Sequence, residues 1–520
     1  MSDTTLTFLV LGAVVVLFVW NRLPVEAVAV GAALALWATG VLSVNQAIAG
    51  FGDSTVVFIA ALFVVSEGID STGVTAWAGH QLIARVGESR TRLIVLTMLL
   101  VAGLTALISV NGSVAALLPM VVVLAVRLGR PTSQLLLPLA FGAHAGSLLT
   151  LTGTPVNVIV SDAAAEAGVG RFGYFEFALV GVPLVAGTIV IVALFGERLL
   201  PSRNGDSIPP DLSRHARTLA AQYRLEHATD DLITREAGVA EVVVARRSDL
   251  VGAAVFPGMV TDSGDFVVLA VQRRGEDLDD ETVLDVGDSL LLRGTWDALE
   301  EVPRVPDVLV VDSPALVRRQ AVPLGRGAKE AVAVLGGMVV LLAFGLVPPV
   351  IAGLLAAGAL ILLRVLSVEH AYRAISWTTV VLVAGMLPLS TAMEVSGAAG
   401  DLADGLVDLV GGLGPYALLV GIVLLVFVLG QLISNMATAL IVIPIAISAA
   451  ADMNVSARPL LMAVAVAAAA SFLTPVATPA NLMVMKPGGY RFGDYWKLGL
   501  PLLGWFFVVA VVLVPAVWNF

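Results

Sequence analysis

Thr150-Leu-Thr-Gly-Thr-Pro-Val-Asn157 interrupts an apolar run that extends from about 134 to 160, and Thr474-Pro-Val-Ala-Thr-Pro-Ala-Asn481 interrupts another from about 459 to 485. Proline removes a backbone donor and breaks an α-helix. In lipid, the backbone groups so freed are tolerated only where protein or a polar cavity surrounds them. Each stretch therefore reads as a deliberate gap in a membrane-embedded helix. The two Thr-Pro-X-Asn segments lie 324 residues apart.

Working outward, the same offset recurs without a gap. Val41-Leu-Ser-Val44 returns as Val365-Leu-Ser-Val368, Thr55-Val-Val57 as Thr379-Val-Val381, and Ser66 and Gly73 as Ser390 and Gly397. Near the end of each half, Arg171-Phe-Gly173 matches Arg491-Phe-Gly493, and Gly181-Val-Pro183 matches Gly499-Leu-Pro501. Matches in polar loops and breaks at one spacing mark an internal repeat.

Composition agrees with lipid as the solvent. The 520 residues are 58% hydrophobic and 13% charged, against about 25% charged for an average soluble domain. There is no cysteine, which excludes disulfides and thiol chemistry. The first twenty residues lack a basic n-region and a cleavage site, and read as a retained membrane helix.

The expected organisation is a first membrane repeat at 1–200, a linker at 201–227, a small α+β domain at 228–311, a second linker at 312–328, and a second membrane repeat at 329–520. The stretch from about Pro201 to Val317 carries most of the acidic residues. It alternates as short β-branched strands in Glu241–Gly252, Asp265–Glu276 and Asp288–Val302, closing on an amphipathic helix. None of its runs reaches the roughly 20 apolar residues of a spanning helix.

Each membrane half shows the same series. The first has segments at 5–20, 25–44 and 54–72, a pair at 92–108 and 114–127, the broken segment, and 174–197. The second has 329–346, 349–366, 377–393, a pair at 414–432 and 438–451, the broken segment, and 496–518. With each pair as a re-entrant hairpin, a half crosses five times, and the odd number inverts the second half. The predicted fold is thus an all-α polytopic membrane protein of two inverted repeats, each of five transmembrane helices plus a helical hairpin.

Basic residues in short loops favour the cytoplasm. With both termini outside, the inner loops hold Arg22, Arg85, Arg90, Arg92, Arg127, Arg130, Arg198, Arg318, Arg319, Arg326, Lys329, Arg364, Arg373, Lys486, Arg491 and Lys497. The outer loops hold Arg171 and Arg458 with Asp53, Asp162, Glu394, Asp401, Asp404 and Asp408. The central domain is expected in the cytoplasm, and the chain in the plasma membrane.

Four polar breaks carry the functional reading: Ser109–Ser113, Thr150–Asn157, Ser434–Thr438 and Thr474–Asn481. Discontinuous helices at a repeat interface are where secondary transporters bind solute. Helix N-termini there favour anions, while carbonyl, hydroxyl and amide oxygens suit a small hard cation. A lone Ser in a membrane helix more often back-bonds or aids packing. Four breaks in matching positions argue otherwise. No Lys or Arg sits centrally in a span, so an anion would be held by dipoles, hydroxyls and a co-bound cation. His144 is a candidate coupling or gating residue, since intramembrane histidines are functional candidates. Its counterpart is Ala468. Gln431 is a candidate to face the cavity, and Glu67 and Asp70 are expected at the interface. No metalloprotease, hydrolase or Walker motif is present, so an enzyme is not expected.

These tips and Pro-Asn breaks resemble the divalent anion:sodium symporter family of the ion transporter superfamily. The segment from about Ala228 to Val311 resembles a TrkA-C (RCK C-terminal) domain, through Glu241-Val-Val-Val244, Leu250-Val-Gly252, Leu269–Arg273 and Val286–Leu292. The resemblance implies a homodimer with elevator-type alternating access. It also implies sodium sites at the tips and a small regulatory ligand on the insert, with no other cofactor and no nucleic-acid polymer as partner. Substrate is assigned to Ser109, Asn111, Ser113, Thr154, Pro155, Ser434, Asn435, Thr438, Thr478 and Pro479. The cation is assigned to Ser109, Asn111, Gly153, Asn157, Asn435, Thr474, Ala477 and Asn481. The family's tip reads Ser-Asn-Thr or Asn-Asn-Thr. Here the second tip, Ser434-Asn-Met436, loses the Thr. The first, Ser109-Val-Asn111, has valine at the usual Asn. Proton coupling through His144 is then an option beside sodium.

The function expected is a symporter of a small anion, such as a dicarboxylate or sulfate. A cation channel or cation transporter gated by the insert is the alternative. A third class is a sensor with a transporter fold.

Overall fold

An apolar run in lipid becomes helical because a helix satisfies its own backbone groups. The computed structural model of the chain describes all residues except 1, 21, 76, 79–80, 82–88, 206–218, 220–222, 224–236, 262, 279, 303–305, 312–313, 315–316, 318–326, 411–413 and 476. The first half comprises α1 (Asp3–Trp20), α2 (Val25–Ala38), α3 (Val44–Ile48), α4 (Ser54–Ser71), α5 (Arg90–Leu107), α6 (Val110–Arg127), α7 (Leu136–Gly146), α8 (Pro155–Glu166) and α9 (Ala178–Leu199). The insert follows with seven strands, β1 (Ala237–Val244), β2 (Ala254–Val255), β3 (Phe266–Arg273), β4 (Glu276–Asp277), β5 (Thr282–Val283), β6 (Ser289–Thr295) and β7 (Val308–Val310), and with α10 (Trp296–Glu301). The second half comprises α11 (Ala328–Ala343), α12 (Pro349–Leu362), α13 (Val368–Ala374), α14 (Trp377–Val395), α15 (Ala398–Val410), α16 (Pro415–Gly430), α17 (Asn435–Asp452), α18 (Ala457–Ala468), α19 (Pro479–Met485), α20 (Tyr495–Val508) and α21 (Val514–Val517). Arg85, Arg318, Arg319, Arg326, much of both expected linkers and the first residues of the 228–311 domain lie outside the described residues.

Contacts divide the chain into two units. One is Met1–Ile69, Gln81–Ile208 and Lys329–Phe520; the other is Asp70–His80 and Pro209–Ala328. The second takes in residues 70–80, which the expected boundaries left in the first membrane repeat.

Among the described residues of the helical unit, seven helical stretches are long and apolar enough to cross a membrane. The segments expected at 25–44 and 349–366 are shorter, ending at Ala38 and Leu362. Gly40 (φ +80°) and Arg364 (φ +56°) take the left-handed conformation that stops a helix. The chain restarts as α3 and α13, whose N-caps Ser43 and Ser367 accept bonds from Gln46 and His370 N–H. Helix α15 was not anticipated, because Asp401 and Asp404 hide its period. Ala399 and Ala403 are buried while those carboxylates are exposed.

Close helix approaches join the two halves. A Cβ on Gly385 of α14 would lie 2.8 Å from the Ala29 backbone of α2. The same pair with halves exchanged is Gly353 of α12, whose Cβ would lie 3.2 Å from Ala61 Cβ of α4. Two carboxylates clamp the halves together. Glu176, just before α9, accepts from Gly173 N (2.8 Å), Arg458 Nη2 (2.8 Å) and Trp518 Nε1 (2.6 Å). Asp494, just before α20, accepts from Arg491 N (2.9 Å) and Arg203 Nη1 (3.0 Å). Trp518 follows α21 and Arg203 follows α9, so α9 and α20 run antiparallel. Each clamp therefore lies at one end of α9, a helix roughly 33 Å long at 1.5 Å per residue. Between the clamps the two helices touch where Trp505 Nε1 donates to Pro183 O (3.2 Å) and covers Gly187.

In the second unit an antiparallel sheet has the order β4-β3-β6-β1-β7, with β2 and β5 as a separate pair. The strands form because Val242, Val244, Val268, Val271, Leu290 and Leu292 bury into one core. Strand β1 begins at Ala237, four residues before the expected run. Arg273 of β3 makes a bidentate pair with buried Asp288 (2.8 and 2.7 Å), next to the Asp285 N–H bond to the same carboxylate.

Two outcomes are expected. Gly385→Ala destabilises the helical unit by ~1–3 kcal/mol through overpacking against backbone. Gly336→Ala, which meets open space, is neutral to stabilising by ~0.5–1 kcal/mol. Thermal unfolding of the full chain in detergent separates the two. In the insert, the Arg273 hydrogen bond holds the Asp288 carboxyl below its ordinary range. Its contribution is therefore present above about pH 4 and is lost as pH falls through the lowered folded value. Hydrogen exchange of β3 and β6 should speed up over that window, and Asp288→Asn should remove the pH dependence.

Candidate functional site

Both breaks are built alike. Helix α7 ends at Gly146 and its axis resumes as α8 after Thr154, whose backbone is extended (φ −153°). Helix α18 ends at Ala468 and resumes as α19 after Thr478 (φ −145°). The carbonyls freed in between are bonded by asparagine. Asn157 Nδ2 donates to Ser147 O and Thr150 O, both at 2.9 Å. Asn481 Nδ2 donates to Ser471 O (2.7 Å) and Thr474 O (3.1 Å). Both side chains are 0% exposed. Gly153 is required by closeness, since a Cβ there would sit 2.3 Å from Ser147 O; its counterpart Ala477 is buried.

The hairpin tips meet these breaks. Ser109 Oγ accepts from Gly112 N (3.1 Å) and Ser434 Oγ from Ala437 N (3.3 Å), so each serine caps the returning arm. In the first half, Thr150 Oγ1 donates to Ala106 O (2.5 Å), just before the tip. In the second, Ser471 Oγ donates to Asn435 Oδ1 (2.5 Å). Gln431 donates to Ala470 O (3.1 Å) and accepts from Leu473 N (3.1 Å), so it ties hairpin to break. The resumed helices pack crosswise: α8 against α17 and α18, and α19 against α6 and α7.

His144, in the last turn of α7, crosses to the other half. Its Nε2 lies 3.1 Å from Thr478 Oγ1 and 3.3 Å from Asn481 Oδ1. The Asn481 amide is oriented by its two carbonyl acceptors, so Oδ1 accepts and His144 Nε2 carries a proton. Phe472 stands edge-on to His144 (6.0 Å), Phe141 (4.9 Å) and Phe506 (4.9 Å). An apolar wall thus encloses the polar junction.

Of the residues assigned from sequence, Asn157, Asn435, Thr474, Thr478, Asn481 and His144 share bonds at the tips and breaks. Ser113 and Thr438 are 0% exposed at matching tip positions. Thr154 and Pro155 are half-buried at the start of α8, whereas Asn111 and Pro479 are exposed. Sequence reasoning passed over Ser147 and Ser471, although they share the 324 offset. It also passed over Tyr174, which pairs with Thr152 (2.9 Å), and Tyr495, which donates to Asn481 O (2.6 Å). Four oxygens in the breaks and tips are buried and unpartnered among the described residues: Ser113 Oγ, Asn157 Oδ1, Thr438 Oγ1 and Thr474 Oγ1. Buried polar atoms are normally satisfied, so these fit a small cation or an oxyanion as the missing partner.

Known proteins resemble the chain over all or part of its length. The uncharacterized transporter YfbS of Escherichia coli (strain K12) is 30% identical over 607 residues, 98% of each chain. Sodium/sulfate cotransporter 1 of Chlamydomonas reinhardtii is 28% identical over 276 residues, 50% of this chain and 28% of that one. The crystal structure of the Alcanivorax borkumensis YdaH transporter aligns with a TM-score of 0.49 at 14% identity, covering 97% of this chain and 98% of that one. The model of the citrate transporter family (CitMHS) matches residues 15–466 and 409–520. A multi-pass chain with paired helix breaks and transporters as its relatives, this protein belongs to the CitMHS citrate transporter family.

Proposed function

We propose that the protein is a secondary active symporter of a small oxyanion, sulfate or a di- or tricarboxylate, driven by an inward sodium or proton gradient. The observation that carries this reading is the set of four buried, unpartnered oxygens at two matching tips and breaks. Acceptor oxygens take a cation; hydroxyls and helix N-termini take an anion. With no Lys or Arg among the break residues, the co-bound cation supplies the countercharge. The sodium/sulfate relative and the citrate family name point to the same substrate class.

Two inverted repeats are supported by the antiparallel course of α9 and α20 and by the exchanged pair Gly385–Ala29 and Gly353–Ala61. The transport cycle is then elevator-type motion in a homodimer, with both termini outside. The insert, a TrkA-C-type module in the cytoplasm, binds a small ligand and regulates transport. Its antiparallel β3-β6-β1 core is the fold feature in favour.

In proteoliposomes, labelled sulfate or citrate should accumulate only with an inward sodium or proton gradient, and an ionophore should abolish it. Flux without a gradient requirement, or a steady current without anion, sinks the symporter reading and favours a gated channel. Thr478→Val removes the hydroxyl of the second break that bonds His144 Nε2 and Asn481 N, and keeps the shape. The loss of about one hydrogen bond, ~1 kcal/mol, should lower apparent anion affinity about fivefold at normal expression.

A further inference from the structure

The two breaks are near copies in backbone and differ in one donor. In the second half, Asn481 Oδ1 receives the His144 Nε2 proton at 3.3 Å. At the first break the place of His144 falls to Ala468 of the second half, and Asn157 Oδ1 has no partner among the described residues. The difference is chemical. An amide oxygen can only accept, so a buried Asn157 Oδ1 requires a donor or a cation. The remaining free groups of the second half, Thr438 Oγ1 and Thr474 Oγ1, are hydroxyls. A hydroxyl can donate, and so can be satisfied by a carboxylate or sulfate oxygen.

We propose that the two breaks have divided their labour: the first, through Asn157 Oδ1, binds the one coupling cation, while His144 fills the place of a second cation and leaves its break to the anion. This rests on the cation-coupled reading above and adds its stoichiometry and polarity. His144 acts as a positioning residue. It occupies the acceptor that a metal would need, and a proton donor within 3.3 Å of Asn481 Oδ1 opposes any cation on that oxygen. His144 Nε2 is also 3.1 Å from Thr478 Oγ1, so its proton turns that hydroxyl's own proton away from the ring.

Equilibrium binding of 22Na+ to the purified full-length protein counts ions per protomer without any transport step. The wild type should bind one. His144→Ala frees Asn481 Oδ1 and should double the count. His144→Gln keeps an N–H donor in place and should restore a single ion. Ala468→His supplies the missing donor to Asn157 and should remove sodium binding. A count of two in the wild type, or of one in correctly folded His144→Ala, overturns the division of labour while leaving sodium coupling intact. No sodium binding by the wild type overturns both this inference and the sodium-coupled reading. Because the wild-type count needs no variant, the proposal stands or falls even if a substituted chain does not fold.

Discussion

Two asparagine amides hold this membrane core open. Wherever a helix is interrupted in an apolar medium, the carbonyls it strands cost several kcal/mol each unless something donates to them. Asn157 and Asn481 each bridge two such carbonyls with a single Nδ2. The bridge turns what would be a destabilising defect into a stable bend. It also fixes which way the amide faces, so the opposite oxygen of each asparagine is presented as a pure acceptor. The gap, its polarity and the position of the resumed helix all follow from that contact.

Around the breaks, the halves are joined by contacts that come in exchanged pairs. Gly385 against Ala29 and Gly353 against Ala61 let α14 and α2, and α12 and α4, approach closely. The Glu176 and Asp494 clamps fix the ends of α9 and α20. Burial raises the Glu176 carboxyl, but the bonds from Arg458, Gly173 and Trp518 outweigh it and hold the group below its ordinary value. Within this near-symmetric frame the difference between His144 and Ala468 stands out, since the same backbone presents a filled acceptor on one side and an empty one on the other.

The insert obeys different physics. Its stability comes from a valine- and leucine-rich sheet core and a bidentate Arg273–Asp288 pair, as in a water-soluble domain. Its strands are short because they need to cover only one small core.

Much was legible from the residues alone. Apolar runs and Pro-containing breaks announced a mostly helical membrane protein with a small sheet region, because lipid and backbone hydrogen bonding constrain local sequence directly. Short valine- and leucine-rich runs bounded by polar turns announced β1, β3 and β6. Helix α15 escaped because Asp401 and Asp404 interrupt its apolar pattern, and the early ends of α2 and α12 depend on single left-handed residues. The tertiary structure alone decided that His144 reaches Asn481, that Gln431 bonds to the break, and that Asn111 is exposed while Ser113 is buried. Those contacts join segments up to 337 residues apart. No local rule of spacing carries such information; it exists only once both halves have packed.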